Sequence, residues 1–326
     1  MRLICLSAPD RELEEALEEA LAPYRGQIRC DRVDPAHPDP SLLEAADGVL
    51  CAHFPPELRA RATRARWIQY WSAGVDNKIY PELFRTPGGD HATVCTGSGI
   101  HVDSCANHVM AMLLAFARGL PVAGRLQARR TWDRDAVVPV QFELEGATMG
   151  IVGTGAIGGA IAARAKAFGM TTIGVRRHAD RPAPPGFDLV LPHLQYHEMV
   201  VRSRFIVLAL PLTSGTRWIF GEDEIEVVPK GTYLFNIGRG GLIDERAVRE
   251  ALGRRWLAGA GLDVFEEEPL PADSPWWDLD NVIITPHAGG NTPEYWPRLA
   301  RLAADQVGRL LAGKPLANRV DPDLGY

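Results

Sequence analysis

Thr148-Met149-Gly150-Ile151-Val152 runs directly into Gly153-Thr154-Gly155-Ala156-Ile157-Gly158, and Ala160, Ile161, Ala163, Ala165 and Phe168 carry on from it as far as Gly169. An apolar run, three spaced glycines and an apolar-striped stretch predict a strand, a tight turn and a helix. In that context the glycine spacing marks a site for a dinucleotide pyrophosphate. Gly153 permits the turn, Gly155 lets backbone approach the phosphates, and Gly158 allows close helix–strand packing. The first amides of the helix, from Ala156 and Ile157 onward, then face the anion along the helix dipole.

The next strand, Thr171 to Val175, ends in Arg176-Arg177-His178. NAD sites usually place an acid here to accept from the ribose hydroxyls. This chain has two cations instead, which would pair with a 2′-phosphate that a carboxylate would repel. The reading is NADP preference, with NAD as the alternative.

Outward from this point the alternation continues. Strands are predicted at Phe205 to Leu210, Tyr233 to Asn236, Ala258 to Leu262 and Val282 to Thr285, with helices between them and a last helix from Thr292 to Leu311. Toward the N-terminus, Arg2 to Ala8, Gly48 to Ala52 and Trp67 to Trp71 read as strands, and Glu12 to Ala22 as a helix. Pro81 to Asp90 is a breaker-rich loop. Val102 to Leu120 is one long apolar helix, read either as a hinge or oligomer face or as an ordinary core helix. Alternating strands and helices imply mostly parallel sheets. A length of 326 residues suggests two domains at roughly 150 residues each.

Composition sets outer bounds. Hydrophobic residues are 46% and charged residues 23%, which excludes a disordered chain. The net charge of −6 argues against a nucleic-acid partner, which would need a basic excess. Only Lys78, Lys166, Lys230 and Lys314 among the 35 basic residues are lysine, so a single arginine means little until it is placed. The five cysteines, Cys5, Cys30, Cys51, Cys95 and Cys105, form no CxxC pair and indicate neither a disulfide framework nor a metal site. The N-terminus meets Asp10-Arg11 too soon for a secretory segment, and the apolar run Val109 to Ala117 is far too short to span a membrane. The expectation is a cytoplasmic protein with no membrane partner.

Four further motifs fall at predicted strand ends, where open α/β sheets place ligands. They are Pro211-Leu212-Thr213 with Thr216, Ile237-Gly238-Arg239-Gly240-Gly241, Leu262-Asp263-Val264-Phe265 with Glu266-Glu267-Glu268-Pro269, and Thr285-Pro286-His287-Ala288-Gly289-Gly290. In this order, behind GTGAIG, they make the chain resemble the D-isomer-specific 2-hydroxyacid dehydrogenase family from about Trp67 to Pro293. The resemblance implies a Rossmann-type nucleotide-binding domain, residues 101–290, inserted into a flavodoxin-like substrate domain, residues 1–100 plus 291–326. It implies a homodimer through the nucleotide-binding half.

It also implies roles. Arg239 would bind the carboxylate of a small 2-oxo acid with its fork and polarise the C2 oxygen. His287 would be the acid/base at that oxygen. Glu268 would pair with the imidazole and stabilise its cationic form. Asp263 would hold the nicotinamide carboxamide. Leu210, Pro211, Thr216, Ile237 and Gly238 would lie along the cofactor. Ser72-Ala73-Gly74-Val75-Asp76 matches a first-domain loop in which the amides of Ala73 and Gly74 would bind the substrate carboxylate. His53 and Trp296 would stand near the substrate, where a large aromatic favours small acids.

The chain departs from the family at Asn107, where a glutamate is common, and at Arg176, where an aspartate is. The leading function is an NADP-dependent 2-oxo acid reductase, for glyoxylate or hydroxypyruvate. The alternatives are a dinucleotide-sensing protein like the related corepressors, or a family enzyme acting on formate or phosphite.

Overall fold

A computed structural model describes residues 1–76, 78–177, 182–322 and 324. The chain divides into two compact units, Met1–His101 with Thr292–Tyr326, and Val102–Asn291.

The first unit holds β1 (Arg2–Leu6), β2 (Arg29–Val33), β3 (Gly48–Cys51), β4 (Trp67–Tyr70) and β5 (Thr93–Cys95). Their order is β2-β1-β3-β4-β5 and every ladder is parallel. That is the flavodoxin-like doubly wound order, with its switch point between β1 and β3. Successive side chains serve opposite faces: Ile4, Val49 and Ile68 enter one core, and Leu3, Leu50 and Trp67 the other. Helices Arg11–Leu21 and Tyr295–Leu311 cover the second face through Leu13, Leu17, Leu299, Ala303 and Val307. Asp10 caps the first of these by accepting from Leu13 N at 3.0 Å.

The second unit contains β6 (Thr148–Val152), β7 (Thr171–Arg176), β8 (Leu189–Pro192), β9 (Phe205–Leu208), β10 (Thr232–Asn236), β11 (Leu257–Leu262) and β12 (Val282–Ile284). The order is β12-β11-β10-β9-β6-β7-β8, parallel throughout. This is the Rossmann arrangement extended by one strand, with its switch point between β6 and β9. Both faces are buried: Phe205 and Val207 point into one layer, Ile206 and Leu208 into the other.

The long helix expected over Val102 to Leu120 is two helices, Val102–Ala117 and Leu120–Ala128, bent by 70°. Gly119 sits at φ 65° and Pro121 opens the second helix, where its missing N–H costs nothing. The first of the pair is a core helix, packing Val109, Leu113 and Phe116 against Met149, Val207 and Phe235. No single helix among the described residues is long and apolar enough to cross a membrane.

Candidate active site

At the switch point of the second unit the fingerprint loop closes on its neighbours. Gly153 has φ 99°, and a Cβ there would stand 2.3 Å from the carbonyl oxygen of Ala209, just past β9. A Cβ on Gly158 would lie 2.0 Å from Gly153 O. Gly155 differs, because a Cβ there would meet nothing within 4 Å. Two glycines thus serve packing, and the third leaves the backbone approachable. Gly155 caps helix Ala156–Ala167 without a side chain, and the first turn carries no acid. The amides of Ala156 and Ile157 at this helix start are suited to phosphate oxygens. The residues present therefore fit a dinucleotide. Replacing Gly158 with alanine is expected to cost about 1–3 kcal/mol through overpacking. It should lower the unfolding midpoint and weaken NADPH binding; an unchanged midpoint would refute this account of the loop.

β7 carries Arg176 to the same edge as its last residue. Arg176 is half-buried and donates to Pro182 O at 3.0 Å, and Arg177 is exposed. His178 lies outside the described residues. Beyond β9, Leu210 and Pro211 begin a loop whose shape is set by Thr216. The Thr216 hydroxyl donates to Pro211 O at 2.8 Å and accepts from Thr213 N at 2.8 Å. Thr216 thus acts as an internal brace of this loop. Ile237 and Gly238 follow β10, and a Cβ on Gly238 would stand 2.9 Å from Leu210 O, so the two loops run side by side.

Arg239 comes next, half-buried, with one guanidinium N–H donating to Gly238 O at 2.7 Å. Asn236 Nδ2 holds the Arg239 carbonyl at 2.8 Å. Gly240 packs so tightly that a Cβ would be 2.0 Å from the Phe265 carbonyl carbon. That contact fixes the Arg239 loop to the segment after β11. In this segment Phe265 N donates to Glu268 Oε1 at 2.9 Å, and Glu268 Oε2 lies 2.8 Å from His287 Nδ1. Arg239, Glu268 and His287 are therefore tied through consecutive loops at the carboxyl ends of three neighbouring strands.

His287 stands at φ 50°, a left-handed conformation uncommon outside glycine. The turn that carries it is held by Asp263, which is 4% exposed. The Asp263 carbonyl accepts from His287 N at 2.8 Å. Its carboxylate accepts from Ala288 N at 2.9 Å, Gly289 N at 3.0 Å and Thr285 Oγ1 at 2.6 Å. A carboxylate can accept about four hydrogen bonds, so three of the four places serve this turn. Sequence reasoning missed this bracing, and it missed Thr285 and His108, which join it. The available signal was a histidine that, beside Asn107, opens directly onto the apolar stretch from Val109 to Ala117. Asn107, beside it, accepts from Arg164 Nε at 2.8 Å and ties two helices together.

In the first unit the Ser72 hydroxyl donates to Gly74 O at 2.7 Å and receives Lys78 Nζ at 2.9 Å. Among the described residues no acceptor meets the amides of Ala73 and Gly74. His53 is exposed and lines a crevice of about 440 Å³ with Leu6, Ala8, Pro9, Pro55 and Trp71, at the switch point of that sheet. Trp296 is half-buried and packs edge-on to Trp71 with ring centroids 5.3 Å apart. Burial pushes the thiols of Cys5 and Cys105 up to about 11 and that of Cys95 up to about 12, so none is a ready nucleophile. Among the described residues no group of three or more His, Cys, Asp and Glu side chains is set to hold a metal ion.

Residues 110–289 match the profile of the D-isomer specific 2-hydroxyacid dehydrogenase NAD-binding domain. The chain is 40% identical over 261 residues to D-3-phosphoglycerate dehydrogenase of Methanocaldococcus jannaschii, covering 80% of this chain and 48% of that protein. It is 31% identical over 324 residues to glyoxylate reductase of Aeropyrum pernix, covering 96% and 95%. Its fold superimposes with a TM-score of 0.83, at 27% identity and over 100% and 99% of the two chains, on a D-isomer specific 2-hydroxyacid dehydrogenase. That protein is from Xanthobacter autotrophicus Py2, crystallised with NADPH and MES.

Proposed function

Because the chain belongs to the D-isomer-specific 2-hydroxyacid dehydrogenase family, we propose that it reduces a small 2-oxo acid, glyoxylate or hydroxypyruvate, with NADPH as the preferred reductant. The observation that carries this reading is the 2.8 Å pair between His287 Nδ1 and Glu268, tied by its loop to Arg239. The name of the Aeropyrum relative supports the substrate class. The NADPH bound to the Xanthobacter protein supports the cofactor.

Gly153, Gly155, Ala156, Ile157 and Gly158 are assigned the pyrophosphate, and Arg176 and Arg177 the 2′-phosphate. Leu210, Pro211, Ile237 and Gly238 follow the dinucleotide with main chain, in a loop shaped by Thr216. The remaining acceptor place of Asp263 is assigned the carboxamide. Held there, the nicotinamide would supply the hydride chemistry at C2 of the acid.

The chain's own groups handle charge and protons. The Arg239 fork binds the substrate carboxylate and polarises the C2 oxygen. In the first unit the amides of Ala73 and Gly74 are suited to a carboxylate. Glu268 takes the Nδ1 hydrogen of His287, which orients the ring and leaves Nε2 as its working end. With Nδ1 held by Glu268, the protonated ring of His287 gives a proton from Nε2 to the C2 oxygen and recovers it in the reverse direction. The test is a turnover screen of small 2-oxo acids with NADPH and NADH. Cofactor binding without turnover would favour a dinucleotide-sensing protein, and turnover of formate or phosphite another substrate.

Cofactor choice is checked separately. A charge-assisted hydrogen bond contributes about 1.5–3 kcal/mol, trimmed by exposure. NADPH should therefore exceed NADH in kcat/KM by about one to two orders of magnitude. The margin should shrink as salt rises. Arg176→Asp should move preference toward NADH by replacing attraction with repulsion. A parent that prefers NADH would make Arg176 and Arg177 ordinary solvated arginines.

We assign a homodimer in the cytoplasm. The segment from Leu120 to Val140 supports the first part. Its helix Leu120–Ala128 buries no residue, Trp132 is 99% exposed, and Leu120, Val138 and Val140 are exposed beside it. Five free thiols accord with a reducing compartment. Light scattering of the parent and of Trp132→Asp reads the assembly.

A further inference from the structure

Thr285 stands between two polar side chains drawn from distant parts of the second unit. Its Oγ1 is 2.6 Å from Asp263 Oδ1 and 2.9 Å from His108 Nε2. A threonine hydroxyl has one proton, and an ionised carboxylate only accepts. The Thr285 proton therefore goes to Asp263, and the remaining bond needs His108 as donor. Nε2 of His108 carries a hydrogen, and the order of donation runs from His108 to Thr285 to Asp263. The same nitrogen lies 3.6 Å from Asp263 Oδ1, so a protonated ring would also face the carboxylate directly.

We propose that His108 is a positioning residue for the reaction, acting through Thr285 and Asp263 to hold the left-handed turn at His287. The proposal rests on the reading of His287 as the acid/base. A histidine at φ 50° persists only where its surroundings over-determine the turn. Asp263 supplies that constraint, and an unsupported carboxylate at 4% exposure would be costly. Thr285 adds a side-chain donor on Oδ1, the oxygen that also accepts from Ala288 N, and His108 holds the Thr285 hydroxyl in place. The packing agrees: a Cβ on Gly289 would stand 2.9 Å from Asp263 Oδ2 and 3.0 Å from His108 Cδ2. The turn therefore rests directly on both side chains. His108 itself is mounted on helix Val102–Ala117, which the core holds through Val109, Leu113 and Phe116.

Two measurements test this. In histidine-selective 15N NMR of the protein without cofactor, the His108 signal is identified by its loss in His108→Gln. It should show a slowly exchanging Nε2–H that exchanges fast in Thr285→Val. A neutral ring with hydrogen on Nδ1 alone would overturn the proposal. In kinetics, His108→Leu should lower kcat roughly two- to tenfold, the span of a hydrogen bond between neutral groups. The KM for NADPH should stay within about twofold. His108→Gln should recover most of the loss, because an amide N–H can replace the donor. His108→Leu combined with Thr285→Val should be no worse than Thr285→Val alone. Parental kcat in His108→Leu, or losses that simply multiply, would overturn it. A parent that turns over no 2-oxo acid would defeat the reductase reading, and the NMR result still decides the hydrogen-bond order.

Discussion

Replacing His287 with alanine is expected to lower kcat at least about a hundredfold, the low end for general acid–base catalysis. The two carboxylates bonded into this turn are already engaged. Glu268 is committed to His287 Nδ1 and to Phe265 N, and the Asp263 carboxylate accepts from three donors of the same turn. The Kd for NADPH should hardly change, because the fingerprint loop lies on other strands. Alanine at φ 50° also adds backbone strain. His287→Asn is the control, since asparagine tolerates that conformation and does not titrate. Both variants should be equally impaired, with the alanine form melting lower. Turnover by either near the parental rate would remove His287 from the mechanism.

Arg239→Lys is the second large effect expected. One guanidinium N–H donates to Gly238 O, which helps to set the plane of the fork. Lysine offers a point charge without that plane. A lost charge-assisted hydrogen bond costs about 1.5–3 kcal/mol. At tenfold per 1.4 kcal/mol, kcat/KM for the best 2-oxo acid should fall at least about ten- to hundredfold. Both kcat and KM should worsen, because the same fork binds the carboxylate and polarises the C2 oxygen. Thermal stability should be unaffected, since the side chain is only half-buried. Parental kcat/KM in this variant would sink the assignment.

Central strands were legible, and of the four described edge strands only β12 was. β6 falls on the predicted residues, because a strand buried on both faces reads as an unbroken apolar run. β2, β5 and β8 went unread, and all three are sheet edges. β2 is Arg-Cys-Asp-Arg-Val, with only its valine buried. An edge strand needs a partner on one side only and tolerates charge, so its pattern is weak. The bend at Gly119 was visible as punctuation but was taken as an end, because nothing local shows that Pro121 begins a new helix. In the site, residues announced by short motifs were found. The bond between His108 and Thr285 joins positions 177 apart in sequence, and no window of neighbours contains it.

The first unit is built from the two ends of the chain, and this governs the order in which the protein can mature. Helix Tyr295–Leu311 covers one face of the β1–β5 sheet, Gln306 donates to the buried Gln69 at 3.2 Å, and Val320 N reaches Val94 O at 2.9 Å. Residues 1–101 thus lack their covering until residues past 292 leave the ribosome. The unit from Val102 to Asn291 has all its strands before then, and domains fold as units while the chain emerges. The usual order is inverted: residues 102–291 close first, and residues 1–101 wait for those past 292. A nascent chain stalled after Asn291 should protect the middle from protease and leave residues 1–101 open to cleavage.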